Sequence, residues 1–303
     1  MNLLRRHPLT VYFVLTFGAT WAIWVPRAAG APVGVIGDLS TWTVAVTAIL
    51  AAALTGGRAA LVDLGARLVR WRVGWRWYIL VLLGPAAFSM TTAGIYMLLG
   101  ASWASVAPRF LAGNLALLPL LVLISALTDG LGEELGWRGF ALPRLLARHV
   151  PWVATLLLGL MWATWYLPLL LTEGRTLYGQ PFWVLILDLG AKAILFTWVF
   201  LRTRGSVLIA VLLHAANNVF SVSPVVSETG SLSLPLIAVG LQWVLAILVL
   251  VAGRPRFGRI VTDPEVVWPA EVLAGRQLGT PNLPPHRSHA EPTSEGGHPE
   301  LSA

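Results

Sequence analysis

Asp129, Glu133, Glu134 and Arg138 fall inside one apolar stretch of this sequence, Asp188 and Lys192 inside another, and His214 inside a third, with Asn217 and Asn218 beside it. On insertion scales an acid or base at the centre of a membrane helix costs about 2.5–3.5 kcal/mol, so each such group implies a partner or a task. The densest cluster lies in GLGEELGWRGFALPRL, Gly130 to Leu145. On a helix Glu134 and Arg138 share one face at i, i+4, and Asp129 and Glu133 share another. One carboxylate then pairs with Arg138, and its neighbour is left to face a cavity, where a carboxylate serves as a general base. Asp188 and Lys192 are also four apart, acid before base. That order suits a structural intramembrane ion pair and also a proton or ion relay. His214 and Asn218 share a face by the same spacing.

These groups need elements to carry them. Hydrophobic residues make up 56% of the chain and charged residues 12%, against about a quarter charged in soluble domains. About eight apolar runs of bilayer length can be marked. They are Leu9–Val25, Trp42–Leu54, Trp77–Leu99, Leu115–Leu131 and onward, Trp152–Leu171, Phe182–Leu201, Val207–Phe220 and Leu234–Val251. The fold class is therefore all-α, a polytopic membrane helix bundle. Arginines crowd alternate loops: Arg5 and Arg6, then Arg58 to Arg76, Arg144 and Arg148, Arg202 and Arg204, and Arg254 to Arg259. The other loops hold Arg27, Arg109 and Arg175. Positive-inside bias puts both termini in the cytoplasm and asks for an even number of spans, in the plasma membrane. Trp24, Trp42, Trp77 and Trp152 stand at span ends, where an amphipathic ring suits the interface.

Arg5 and Arg6 before the first apolar run, with Ala29-Gly30-Ala31 after it, also fit a signal peptide. The length of the run and the even count of spans favour a retained helix. Leu61, Leu64, Leu68 and Trp71 recur at helical spacing with Asp63, Arg67 and Arg70 on other faces, the pattern of an interfacial helix. The chain divides into a helical membrane domain, residues 1–252, and a polar segment, residues 253–303, whose composition cannot bury enough surface to fold alone and reads as a disordered cytoplasmic tail. His286, His289 and His298 in that tail are read as solvated.

Some functions are excluded or disfavoured at this level. There is no cysteine, hence no disulfide, thiolate nucleophile or Cys-based metal site. The net charge of +7 is nearly all arginine between apolar runs, which points to anionic lipid and not to nucleic acid. With spans paired across the short turn near His149, Glu133 and Tyr166 lie equally far from that turn and face one another. Spacing then brings Glu133, Tyr166, His214 and Asn218 together, in the cytoplasmic half of the membrane.

Those residues carry a resemblance. Glu133-Glu134-Leu-Gly-Trp-Arg138, Trp162-Ala-Thr-Trp-Tyr166 and His214-Ala-Ala-Asn-Asn218 occur in that order, and together they resemble the three motifs of the CPBP family of intramembrane proteases, which includes CAAX prenyl endopeptidases and Abi proteins. The resemblance covers about residues 113–220. It implies a membrane peptidase (a hydrolase) in which Glu133 activates water, Glu134 and Arg138 support it, and His214 and Asn218 position water or stabilise the oxyanion. The implied partners, besides the bilayer, are a membrane-bound peptide or a lipidated protein. Some accounts of the family make such residues ligands of a divalent metal such as zinc, which here points to Glu133 and His214. The family's second motif ends in His, where this chain has Tyr166. A phenol titrates near pH 10 and imidazole near about 6.5, so tyrosine donates a hydrogen bond where histidine accepts a proton. Tyrosine is also a less usual zinc ligand, though an oxyanion welcomes its O–H. Three functions follow: an intramembrane endopeptidase, a catalytically silent relative that binds a membrane peptide or partner, and a transporter using Asp188 and Lys192.

Overall fold

The computed structural model describes residues 2–101, 113–220, 233–253, 257–263, 266 and 267. Among these residues there is no strand. A short helix α1 (Asn2–Arg6) leads into α2 (Pro8–Ala28), which opens on a proline, whose missing N–H costs nothing in a first turn. The one-turn α3 (Gly34–Asp38) precedes α4 (Trp42–Leu68), which is broken at Gly57, a residue with φ 61° and ψ −150° that only glycine adopts readily. There follow α5 (Trp75–Leu98), α6 (Leu115–Leu146), α7 (Pro151–Trp165) with a 3₁₀ turn at Leu167–Leu171, α8 (Phe182–Arg202), α9 (Val207–Phe220) and α10 (Ser233–Ala252).

Among the described residues, seven helical segments are long and apolar enough to cross a membrane. The eighth apolar helix, α9, has 14 residues, or about 21 Å at 1.5 Å per residue, shorter than a hydrocarbon core of about 30 Å. Val14, Leu83, Leu123, Leu127 and Leu248 point outward from their helices with roughly half or more of their surface exposed, as an apolar belt against lipid requires.

The loops sort to two ends. Ser206 Oγ donates to the Arg70 carbonyl at 2.7 Å, and Arg70 donates to the Arg204 carbonyl, so the arginine-bearing loops after α4 and α8 meet. The opposite end joins the loops after α2 and α7: Asp38 pairs with Arg175 at 2.7 Å and with Arg27 at 3.5 Å. The hydrogen bond from Arg175, with Arg27 nearby, holds the Asp38 carboxyl below the ordinary carboxylate range.

Three expectations change. Arg67 does not face solvent on an interfacial helix. It is fully buried, pairs with Asp63 at 2.7 Å, and donates to the carbonyls of Val266 and Val267 at 2.9 and 3.3 Å. Phe257, Val266 and Val267 are buried too, so packing continues past the composition change at 253; residues 268–303, with the tail histidines, lie outside the described residues, as does Arg109. Trp24 is not an interface anchor: it is buried, donates to Ser40 Oγ at 2.5 Å and sits 4.5 Å from Trp165, so α2 is part of the core.

Helix α6 is not a straight α-helix. Ala126–Gly130 and Leu135–Ala141 are wound as π-helix on either side of the α turn Leu131–Glu134. Such wide turns often mark functional positions. Glycines let its backbone sink into its neighbours. A Cβ on Gly136 would stand 2.4 Å from Tyr12 Oη and 2.8 Å from the Val44 carbonyl, and one on Gly130 would stand 2.8 Å from the Val211 carbonyl of α9. Gly136→Ala is expected to destabilise the protein by about 1–3 kcal/mol through overpacking. Gly18→Ala, whose methyl would meet nothing within 4 Å, is expected to leave the thermal midpoint in detergent unchanged.

Candidate active site

Because α6 places Glu133 and Glu134 on successive positions, the two carboxylates point to different neighbours. Glu134 turns into the bundle. Its Oε1 accepts from Arg138 Nη1 at 2.9 Å and lies 2.8 Å from His214 Nδ1. All three side chains are buried. The Arg138 guanidinium also lies 4.4 Å from the ring centroids of both Trp162 and Phe196, where aromatic faces attract a desolvated cation.

Glu133 turns the other way, to the wall of a cavity of about 380 Å³. It is held there by three donors. Tyr166 O–H donates to Oε1 at 2.6 Å, while the indole N–H groups of Trp162 and Trp137 donate to Oε2 at 2.7 and 3.3 Å. His214 Nε2 lies 3.9 Å from Glu133 Oε1.

Tyr166 owes its place to the end of α7. Pro168 has no N–H to give the Thr164 carbonyl, so the helix stops at Trp165 and Tyr166 stands at its tip with φ −77° and ψ −6°. Helix α2 fixes that tip from behind. Trp165 Nε1 donates to Thr20 Oγ1 at 2.9 Å, Trp21 Nε1 donates to the Trp165 carbonyl at 3.0 Å, and the Trp24 ring stacks on Tyr166 at 5.8 Å.

The expected convergence of Glu133, Tyr166 and His214 is present, and the division of labour between the glutamates follows the helical spacing. Other relations differ. His214 makes its short contact with Glu134, and Asn218 sends its amide to Asp129 Oδ2 at 3.4 Å, although Asn218 lines the same cavity. Asp188 and Lys192, paired at 2.7 Å, line that cavity as well, together with Asp129, Glu133 and His214. The tryptophan donors were missed in the sequence. Trp162 was within reach of the spacing argument, being four residues before Tyr166 on the same helical face. Gln242, from α10, carries no signal in the sequence that would assign it to the chamber.

The chamber lies toward one end of the bundle. Its lining includes Asp38 at the end of α3 and Thr176 in the loop after α7, both exposed at the arginine-poor end, and Tyr166 at the far tip of α7. Equal distance from a turn fixes two residues at the same depth but not at which depth.

The donor set does not fit zinc. Both Glu133 oxygens already accept hydrogen bonds, Tyr166 uses its proton on one of them, and His214 Nδ1 is engaged by Glu134. Among the described residues no group of three His, Cys, Asp or Glu converges as a metal site, whereas catalytic zinc takes three protein ligands.

Residues 114–220 match the family model described as type II CAAX prenyl endopeptidase Rce1-like. The match takes in Glu133, Tyr166, His214 and Asn218. The core segment is thus similar to the CAAX prenyl endopeptidase family over about a third of the chain. A 95-residue stretch of the chain is 34% identical to CAAX prenyl protease 2 of Methanococcus maripaludis; it covers 28% of this chain and 34% of that protein. The chain thus matches about a third of the length of this curated relative.

The two carboxylates of this endopeptidase-like core should respond differently to removal. Glu134→Ala leaves Arg138 buried without its counter-charge, which costs about 3–5 kcal/mol. Glu133→Gln keeps a carbonyl for Tyr166 and strands only neutral donors, at a cost of about 1–3 kcal/mol. Thermal unfolding in detergent checks the order; equal losses would contradict the assignment.

Proposed function

We propose that this chain is an intramembrane endopeptidase of the CAAX type that hydrolyses a membrane-associated peptide or lipidated protein with water activated by Glu133. The observation that carries this reading is the pair formed by Glu133 Oε1 and His214 Nε2, 3.9 Å apart on the wall of a chamber large enough for a peptide segment. A water placed at ordinary hydrogen-bond lengths of about 2.8 Å bridges two such acceptors. With Nδ1–H given to Glu134, Nε2 is left as the acceptor that helps orient this water.

The water's oxygen attacks the peptide carbonyl while Glu133 Oε1 takes its proton. A protonated Oε1 no longer holds the Tyr166 O–H strongly, and that hydroxyl turns to the new oxyanion. Collapse of the tetrahedral intermediate breaks the C–N bond, and Glu133 returns the proton to the leaving amine. Asn218, whose bond to Asp129 is long, is a second donor for the substrate backbone. Glu134 and Arg138 position His214 and do not touch the reacting atoms. The site of action is the plasma membrane.

A second reading rests on the hydrogen bond of 2.6 Å by which Tyr166 caps Glu133. In that reading the cap silences the base, and the chamber binds a membrane peptide or partner without cutting it. Cleavage of a fluorogenic membrane peptide by purified protein in lipid separates the two. The endopeptidase reading expects wild-type cleavage, a loss of about 10²–10⁴-fold in Glu133→Gln, and a clear loss in Tyr166→Phe. Wild type as inert as Glu133→Gln, with activity in Tyr166→His, would establish the silent relative instead.

A further inference from the structure

We infer that the chamber is loaded from the extracytoplasmic face, so that its substrate is a peptide segment presented at the outer leaflet. The inference rests on the endopeptidase reading for what enters, but not for where it enters.

Two observations carry it. First, the loops divide cleanly. Arg5, Arg6, Arg58, Arg70, Arg148 and Arg204 belong to one end of the bundle, and the contacts among the loops after α4 and α8 confirm that those loops meet there. Among the described residues the other end offers Arg27 and Arg175, and both are engaged by the single carboxylate of Asp38. Loops rich in arginine stay in the cytoplasm, so the Asp38 end is outside. Secondly, the chamber reaches the surface at that outer end. Asp38, at the end of α3, and Thr176, in the loop after α7, are exposed and also line it. The helical residues in its wall agree: Asp188 stands about two turns into α8 and Ala238 about one turn into α10, both counted from the outer ends of those helices.

A lipid-modified tail formed in the cytoplasm would have to cross the bilayer before reaching Glu133. An exported precursor, or a stub left in the outer leaflet after export, meets the opening directly. The lining suits an extended peptide of mixed character, since apolar Phe88, Leu185 and Phe196 alternate with polar groups such as Asn217 and Gln242 that can meet backbone amides.

The absence of cysteine makes the test direct, because every introduced thiol is the only one. Full-length Thr176→Cys, Val69→Cys and Asn217→Cys are expressed separately and treated with a membrane-impermeant thiol reagent, in intact spheroplasts and after lysis. Thr176 marks the mouth, Val69 the arginine-rich end, where it is 67% exposed, and Asn217 the chamber wall. The expected result is labelling of Thr176→Cys and Asn217→Cys in intact spheroplasts and of Val69→Cys only after lysis. Labelling of Val69→Cys in intact spheroplasts, or failure of either other site to label there, overturns the inference. Failure of the endopeptidase reading looks different: an inert wild type with the labelling pattern intact.

Discussion

A single carboxylate oxygen, Oε1 of Glu134, receives Arg138 of its own helix and His214 of α9. Burying a lone guanidinium in a bundle whose outside is lipid carries a large desolvation penalty, and a carboxylate four residues earlier is the nearest available remedy. Because Glu134 meets that need, Glu133 is relieved of it. Its oxygens go to neutral donors, and it can face the chamber. The same oxygen pins the imidazole, which sets which ring nitrogen looks toward Glu133.

The scaffold serves this arrangement at several points. Glycines on α6 bring its backbone against α2, α4 and α9, so that side chains of modest length can meet at its surface. Pro168 ends α7 where Tyr166 must stand, and the indoles of Trp24 and Trp165 hold that tip against α2. Helix α2 is therefore a wall of the site and not merely an anchor.

Much of this was legible in the sequence. The spans follow from apolar runs of bilayer length, and the separate duties of Glu133 and Glu134 follow from their offset around a helix of known period. Other features were not, for physical reasons. Arg67 reads as a surface charge because, beyond Asp63, it donates to backbone carbonyls at Val266 and Val267, which no side-chain pattern encodes. Trp24 reads as an interface residue, and Trp162 only as part of a motif, because an indole N–H declares its acceptor only in three dimensions. The end of the bundle toward which the chamber lies is not encoded locally, because periodicity gives angle and spacing along one helix, while the chamber's place depends on where all the helices begin.

The central claim is that Glu134 couples the intramembrane arginine helix to His214 and so frees Glu133. A double-mutant cycle on folding stability in detergent, with Glu134→Gln, His214→Gln and the pair, measures that coupling most directly. Residues sharing one buried hydrogen bond should show an interaction energy of about 0.5–3 kcal/mol. Stability losses that simply add, with no interaction energy beyond error, would contradict the account.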